Sequence, residues 1–165
     1  MGPRNSRKPE SLLDEAASIA AKGKKPHVGL DVLFSRVSKD DLENMTAESL
    51  AASAVLAESE IRAWDGKTAR MSLVERDFAT HDGRDVSVLS ITAKNKPFLY
   101  DSVMGEVTSQ VRDILMALHP IVVLDGDSPL VLFSHGDGSE PEHRISHIQI
   151  HMPRLGSTAA EELTS

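Results

Sequence analysis

The stretch DVSVLSITAKNKPFLYDSVMGEV, residues 85–107, decides the fold. Its first part, DVSVLSITA, is rich in β-branched and apolar residues on both faces, which is typical of an interior strand covered on both sides. The segment 94–97 then breaks the strand, and Pro97 suits the first turn of a helix. The apolar residues that follow recur at helical steps of four, four, four and three: Leu99, Val103, Val107, Val111 and Ile114. The stretch therefore predicts a strand, a sharp turn and a helix.

Further strands are predicted after this helix. Residues 115–125 (LMALHPIVVLD) form an apolar strand in which Pro120 implies a bulge or an edge position. A turn then leads into a short strand at 129–134. The segment 148–152 alternates apolar and polar side chains, which predicts another strand, and a helix is expected to begin after Gly156.

Helices are predicted ahead of the strands. Capping residues and apolar spacing predict one helix over 12–22 and a longer one over 46–64. Between them, Ser38 followed by Asp41 repeats the N-capping pattern. Residues 69–73 alternate apolar and polar side chains, which indicates a half-buried strand.

This order of elements predicts an α+β fold. We expect the ferredoxin-like scheme, a mostly antiparallel sheet with helices on one face, preceded by N-terminal helices. The last strand of that scheme is missing, which predicts a truncated unit whose open edge pairs with another copy. The expected divisions are a flexible tail over 1–10, a helical segment over 11–66 and the α+β domain over 67–165.

Composition and charge argue against several classes of function. The chain has no cysteine, which removes disulfides and cysteine-based sites and fits a reducing cytoplasm. No apolar run approaches the ~20 residues of a membrane span, and no secretory signal is recognised. The net charge is −7: the first 25 residues hold six basic and three acidic side chains, and the rest hold 12 and 22. Since so acidic a body repels phosphate, we expect no nucleic-acid partner. From the missing cysteine, apolar span and signal we expect a cytoplasmic protein with no membrane partner.

The seven histidines suggest a metal, but their spacing argues against one. His147 and His151 share one face of a strand about 13 Å apart, too far for one ion bound at ~2 Å, so we expect them to face solvent or an interface. His119 is interpreted as structural. A polar loop holds three more candidate ligands: His135, Asp137 and His143. Motifs for a serine nucleophile, a P-loop or a dinucleotide site are absent, so we predict no catalytic and no metal-binding residue in this chain.

The turn AKNKPFLYDS, residues 93–102, is the candidate binding site. The helix after it points unpaired N–H groups back at the end of the strand, and such a place can hold a small carboxylate. Asn95 can donate or accept a hydrogen bond, Lys96 adds positive charge, and Asp101 can hold an ammonium group or cap its own helix. The alternative is that the proline and phenylalanine of this turn only fix the start of the helix and fill the core.

Several segments together resemble one known family. SVLSITAKNKPFLYDSVMGEV (87–107), LMALHPIVV (115–123) and RISHIQIHM (144–152) resemble the N-terminal region of the large NAD-dependent glutamate dehydrogenases of bacteria. The resemblance extends over residues 28–163. Its most specific element is a P-F-L-x-[DE]-S-V motif that directly follows an apolar strand.

The resemblance implies a parent enzyme that converts L-glutamate and NAD to 2-oxoglutarate, ammonium and NADH, with its dehydrogenase core far C-terminal to this region. The N-terminal region is then a set of ACT-like modules, ferredoxin-like folds that bind amino acids or join subunits in other enzymes. It places the ligand at the strand–helix junction: Asn95, Lys96, Pro97, Phe98, Asp101 and Ser102. Ligand-binding ACT modules typically have glycine where this chain has Phe98, so its bulk is expected to hinder an amino acid and favour an assembly surface.

The main hypothesis is therefore a noncatalytic regulatory or assembly domain of a large NAD-specific glutamate dehydrogenase, an oxidoreductase acting on the CH–NH2 group. No cofactor is expected in the chain itself, and NAD is expected in the parent enzyme. The expected partners are other domains of the same polypeptide, further copies in a homo-oligomer and a small amino-acid effector. Two alternatives stay open: a freestanding amino-acid sensor, and a small metal-assisted hydrolase that uses the loop and strand histidines.

Overall fold

The computed structural model of the chain describes residues 33–34, 37–75, 78, 83–96, 98–111, 113–125, 128–132 and 144–155, together with residues 15, 16 and 18. The helices whose two ends are described are Lys39–Glu43 (α1), Ala47–Ala63 (α2) and Leu99–Gln110 (α3). The described strands are Arg70–Val74 (β1), Val86–Lys94 (β2), Met116–Leu118 (β3), Ile121–Asp125 (β4), Ser128–Leu132 (β5) and Ile145–Pro153 (β6).

The two predicted capping sites that the structure describes each begin a helix. The hydroxyl of Ser38 accepts from the backbone N–H of Asp41 over 3.1 Å, and the hydroxyl of Thr46 accepts from that of Ser49 over 3.0 Å. These bonds satisfy N–H groups that have no partner within a first helical turn. The prediction of a helix over 46–64 is thus confirmed to within a residue at each end.

Two predicted helices fall mostly outside the described residues. Of the helix predicted over 12–22, residues 15, 16 and 18 are described and all three are helical. Ala16 is fully buried against the core that α2 shares with the sheet. The helix expected after Gly156, the tail over 1–10 and the loop over 136–142 lie outside the described part of the chain.

The six strands form one antiparallel sheet in the order β1-β2-β6-β4-β5, with β3 also pairing β6. The strand predicted over 115–125 is interrupted at His119 and Pro120, so that β3 and β4 each pair with a different part of β6. This interruption is the irregularity that Pro120 predicts, since proline lacks the N–H that a sheet ladder requires. At its centre, β6 joins the two halves of the sheet.

The edge of β2 at which a ferredoxin-like unit has its last strand is paired within the chain. Arg70–Val74 lies antiparallel to β2, with Arg70 opposite Thr92 and Val74 opposite Val88. In a ferredoxin-like unit the last strand lies beside the first, and here β1, which precedes β2, lies in that place. A strand ahead of β2 therefore completes this side of the sheet, and pairing with another copy stays a prediction.

Residues of β2 point alternately to two layers. Val86 and Val88 pack with α2, α1, β3 and residues 33 and 34, whereas Leu89 and Ile91 pack with α3. The α+β, ferredoxin-like class is confirmed: α3 lies on one face of the sheet, and the N-terminal helices that precede the unit cover the other. The interior strand covered on both sides, predicted for DVSVLSITA, is confirmed as well.

The helix after the junction is shorter than its apolar spacing predicted. It ends at Gln110, and Val111 already has extended backbone angles of −123° and 128°. The backbone N–H of Leu115 then donates to the carbonyl oxygen of His151 on β6 over 2.8 Å. Ile114 still packs in the core under α3. The apolar spacing therefore continues past the helix because the chain stays on the same core while it changes conformation.

Candidate functional site

The predicted binding turn joins β2 to α3. Its first residue, Asn95, donates its backbone N–H to the carbonyl oxygen of Arg144 over 2.9 Å, which holds the turn against the start of β6. Lys96 is exposed, and its carbonyl oxygen accepts from the N–H of Leu99 over 3.2 Å. Pro97 lies outside the described residues. The strand–turn–helix geometry predicted for this segment is confirmed.

Phe98 has the backbone conformation that glycine favours. Its φ is 65° and its ψ is 7°, the left-handed region, and it is the one non-glycine residue with positive φ among those described. That region costs an L-residue roughly 1–2 kcal/mol. The side chain is 78% exposed. The idea that Phe98 fills the core is therefore wrong, because this backbone conformation turns its ring out to solvent.

Behind the turn, three polar side chains form a chain of hydrogen bonds. The buried hydroxyl of Ser146 on β6 donates to Oδ1 of Asn95 over 2.6 Å. Nε2 of His119 lies 3.2 Å from the same hydroxyl and donates to it, since the serine proton is already used. Tyr100, in the first turn of α3, stacks on the ring of His119 at 4.7 Å between centroids and 5° between planes. We call Asn95, Ser146, His119 and Tyr100 the junction cluster.

The phenol of Tyr100, in the junction cluster, has a raised pKa. Burial raises the pKa of Tyr100 above its ordinary value of 10.0, and the negative charge of Asp101 raises this pKa further. Asp101 and Ser102 are both exposed on the first turn of α3, where the N–H of Ser102 donates to the carbonyl oxygen of Phe98 over 2.9 Å. Asp101 therefore influences the cluster through its charge.

The structure thus brings only part of the predicted set into contact. Asn95 belongs to the junction cluster, while Lys96, Phe98, Asp101 and Ser102 are exposed around the same turn. Sequence reasoning missed Ser146 and His119 as neighbours of this site, and it gave no role to Tyr100, which lies within the predicted turn. The signal that could have found His119 is Pro120, because an interrupted strand turns its residues toward the end of the sheet.

On the opposite face, the two strand histidines are buried under α2. His147 and His151 have no solvent exposure. The prediction that they face solvent or a sister sheet is wrong, because α2 of the same chain covers this polar face. The hydrogen-bonded side chains between β6, β2 and α2 form what we call the buried histidine network: Ser53, Thr92, His147, Gln149 and His151.

Gln149 fixes the proton positions in this network. Its Nε2 donates to the carbonyl oxygen of Ser53 over 2.8 Å and lies 3.1 Å from Nε2 of His147, which must accept. His147 therefore carries its proton on Nδ1, 2.9 Å from the hydroxyl of Thr92. Oε1 of Gln149 accepts from Nε2 of His151 over 3.1 Å, so His151 is the other tautomer.

Both histidines are held uncharged. Burial lowers the pKa of His147 to about 3, and the nearby His119 lowers it as well. Burial alone lowers the pKa of His151 to about 3. In the described part of the chain, Nδ1 of His151 and the hydroxyl of Ser90 are buried without a hydrogen-bond partner.

The described residues include neither a metal-binding cluster nor a membrane-spanning helix. Within the described part, no group of three or more His, Asp or Glu side chains is arranged to hold a metal ion. His135, Asp137 and His143, the loop candidates, lie outside it. None of the described helices combines the length and the apolar character that crossing a bilayer requires.

Comparison with known proteins gives one match. The family described as glutamate dehydrogenase, ACT1 domain, matches residues 30–165. Neither the curated proteins nor the solved structures contain a match to the chain. The matched range includes α1, α2, the whole sheet and the binding turn.

Proposed function

Since the chain belongs to the family of glutamate dehydrogenase ACT1 domains, we propose that it is a noncatalytic regulatory and assembly domain of a large, NAD-specific bacterial enzyme. The observation that carries this proposal is the family match over residues 30–165. The parent enzyme would bind NAD in its dehydrogenase core, convert L-glutamate to 2-oxoglutarate and ammonium, and work in the cytoplasm as a homo-oligomer. The partners of this chain would be other domains of that polypeptide and further copies of it.

The regulatory part of the proposal concerns the binding turn. A small amino-acid effector would place its carboxylate near Lys96 and its ammonium group near Asp101, with Asn95, Phe98 and Ser102 around it. Opposite charges on one exposed turn match the two charges of an amino acid. Asn95 supports this placement because it connects the turn to Ser146 in the central strand. An effector with different affinities for two arrangements of the turn would shift the equilibrium between them.

Calorimetry on the whole chain tests the effector. L-glutamate and other amino acids are titrated to millimolar concentration into the wild type, Lys96→Ala and Lys94→Ala. Lys94 is the matched control, because it is an exposed lysine two residues away at the end of β2. We expect binding heat in the wild type, at least about tenfold weaker binding in Lys96→Ala through loss of a charged contact, and no change in Lys94→Ala. Absence of heat with every amino acid would contradict the effector.

The assembly role needs a separate test. Deleting this region from the parent enzyme is expected to change its oligomeric state, as measured by light scattering. An unchanged oligomer that also keeps its regulation would contradict the assembly role. The freestanding sensor differs in one respect, which is that its gene would encode no dinucleotide-binding region after Ser165.

A further inference from the structure

Polar contacts hold α2 against the sheet. Gln149 on β6 donates to the carbonyl oxygen of Ser53, in the middle of α2, over 2.8 Å. The hydroxyl of Ser53 lies 3.4 Å from Nε2 of His151 and donates in turn to the carbonyl oxygen of Ser49. Around these contacts the interface is tightly closed, since Leu50, Ala54 and both histidines are fully buried.

A second proton has no place on either histidine while α2 is packed. On His147 it would lie on Nε2, which faces the amide hydrogens of Gln149. On His151 it would lie on Nδ1, which has no hydrogen-bond partner in the described part of the chain. A buried cation also loses its hydration, and this loss is large when no acceptor replaces the water.

Among the described residues around the network, no carboxylate faces either histidine as a counter-charge for such a proton. The two buried carboxylates of α2 are paired elsewhere, Glu60 with Arg70 of β1 at 3.2 Å and Glu58 with Arg62 at 3.8 Å. β2 contributes the hydroxyl of Thr92 to the network. Lys94 lies on the same face of β2, at its exposed end.

Two aromatic rings in the described part of the chain also lie near the network. Phe78 packs edge-on against His151 at 5.5 Å between centroids. His119 lies in the connection between β3 and β4. Its positive charge disfavours a proton on His147 and so lowers the pKa of that ring.

From this geometry we propose that the contact between α2 and the sheet is an acid-operated release: protonation of His147 and His151 breaks the bridge through Gln149 and frees α2 from the sheet. The opposite face behaves differently. The buried residues that hold α3 there are apolar and do not titrate: Leu89, Val107, Ile148, Ile150 and Met152. Acid therefore separates α2 from a sheet that keeps α3.

The direction of the effect follows from linkage. A free histidine has a pKa near 6.5, whereas burial lowers the pKa of each of these two to about 3. The released state therefore binds protons that the packed state excludes, and the contact weakens as the pH falls below 6.5. At pH 5 the equilibrium constant for release is higher than at neutral pH, by about 30-fold if one histidine titrates and by about 1,000-fold if both do. At about pH 7.5 and above the contact has essentially its full strength.

Hydrogen exchange on the whole chain tests this release. Amide exchange is followed from pH 7.5 to 4.5 and corrected for its intrinsic dependence on pH. We expect the protection of the amides of Ala47–Ala63 against exchange to fall by up to about 1,000-fold at pH 5. The protection of the amides of Leu99–Gln110 should not change. The single tryptophan, Trp64 at the C-terminal cap of α2, gives a fluorescence readout of the same event. Equal loss of protection in both helices at one pH would overturn the proposal.

Variants assign the effect to the two rings. The double variant His147→Gln/His151→Gln removes both titrating groups and keeps an amide in contact with Gln149, so the pH dependence of α2 is expected to disappear. His119→Gln is the control and is expected to keep it. If the double variant does not fold, proton NMR of the wild-type rings decides. Rings that titrate near pH 6.5 while α2 stays protected, or a double variant with wild-type pH dependence, would overturn the release.

Discussion

The hydroxyl of Ser146 donates a 2.6 Å hydrogen bond to the side-chain oxygen of Asn95. Ser146 lies fully buried on the central strand β6, and Asn95 is the first residue of the exposed turn that leads into α3. The bond therefore connects the surface at which we place an effector to the middle of the sheet. A ligand that moves Asn95 has to break this bond or carry Ser146 with it.

Replacing Asn95 by alanine is expected to lower the free energy of unfolding by about 1–3 kcal/mol, because the buried hydroxyl of Ser146 then loses its acceptor. Urea denaturation measures the change. Asn95→Asp is the matched variant, since it keeps an oxygen at the same place and should cost less. Equal stability of Asn95→Ala and the wild type would show that the bond contributes nothing.

The left-handed backbone of Phe98 predicts that glycine is more stable than alanine at this position. Phe98→Gly is expected to be about 1 kcal/mol more stable than Phe98→Ala, because glycine adopts positive φ without the steric cost that alanine retains. Both variants lose the same exposed ring, so the comparison isolates the backbone. Chemical denaturation of the pair gives the difference. A glycine variant less stable than the alanine variant would refute the assignment of strain.

Tyr100 is the single tyrosine of the chain, so its ionisation can be followed directly by ultraviolet absorbance. We expect it to titrate above pH 10, because burial raises the pKa of the phenol and Asp101 raises it further. In Asp101→Asn the pKa should fall slightly, and in His119→Ala, where the stacked ring is lost, it should fall further toward 10. Titration of the wild type at the ordinary pKa would indicate a phenol open to water.

Much of the architecture was readable from local patterns. The capping hydroxyls of Ser38 and Thr46, the interior strand before Asn95 and the helix after it all follow from rules that act over a few residues. The place of β1 beside β2 was not readable, since strand order depends on contacts between residues far apart in sequence. Periodicity predicts that a strand exists and not which strand lies beside it.

The burial of His147 and His151 shows a second limit. Alternation of polar and apolar residues along β6 predicts that one face of the strand is exposed to solvent, yet both faces are buried. The polar face could be covered because Gln149 hydrogen-bonds to one nitrogen of each ring and to a carbonyl oxygen of α2 at once. Hydrogen bonds between three side chains of one strand and a helix far away in sequence cannot be predicted from the alternation of residues along that strand. His119 likewise joins the binding turn only because β3 and β4 diverge at Pro120.

The position of β6 has a consequence for how the chain is made. Among the described strands it is the last to leave the ribosome, yet it is the one that β2, β3 and β4 all pair with. Until about residue 153 has been synthesised, the β1–β2 and β4–β5 hairpins have no common neighbour and expose the edges that β6 will fill. From the completion of β5 at residue 132 until β6 is made, the nascent chain therefore holds two separate ribbons, and β6 joins them into one sheet.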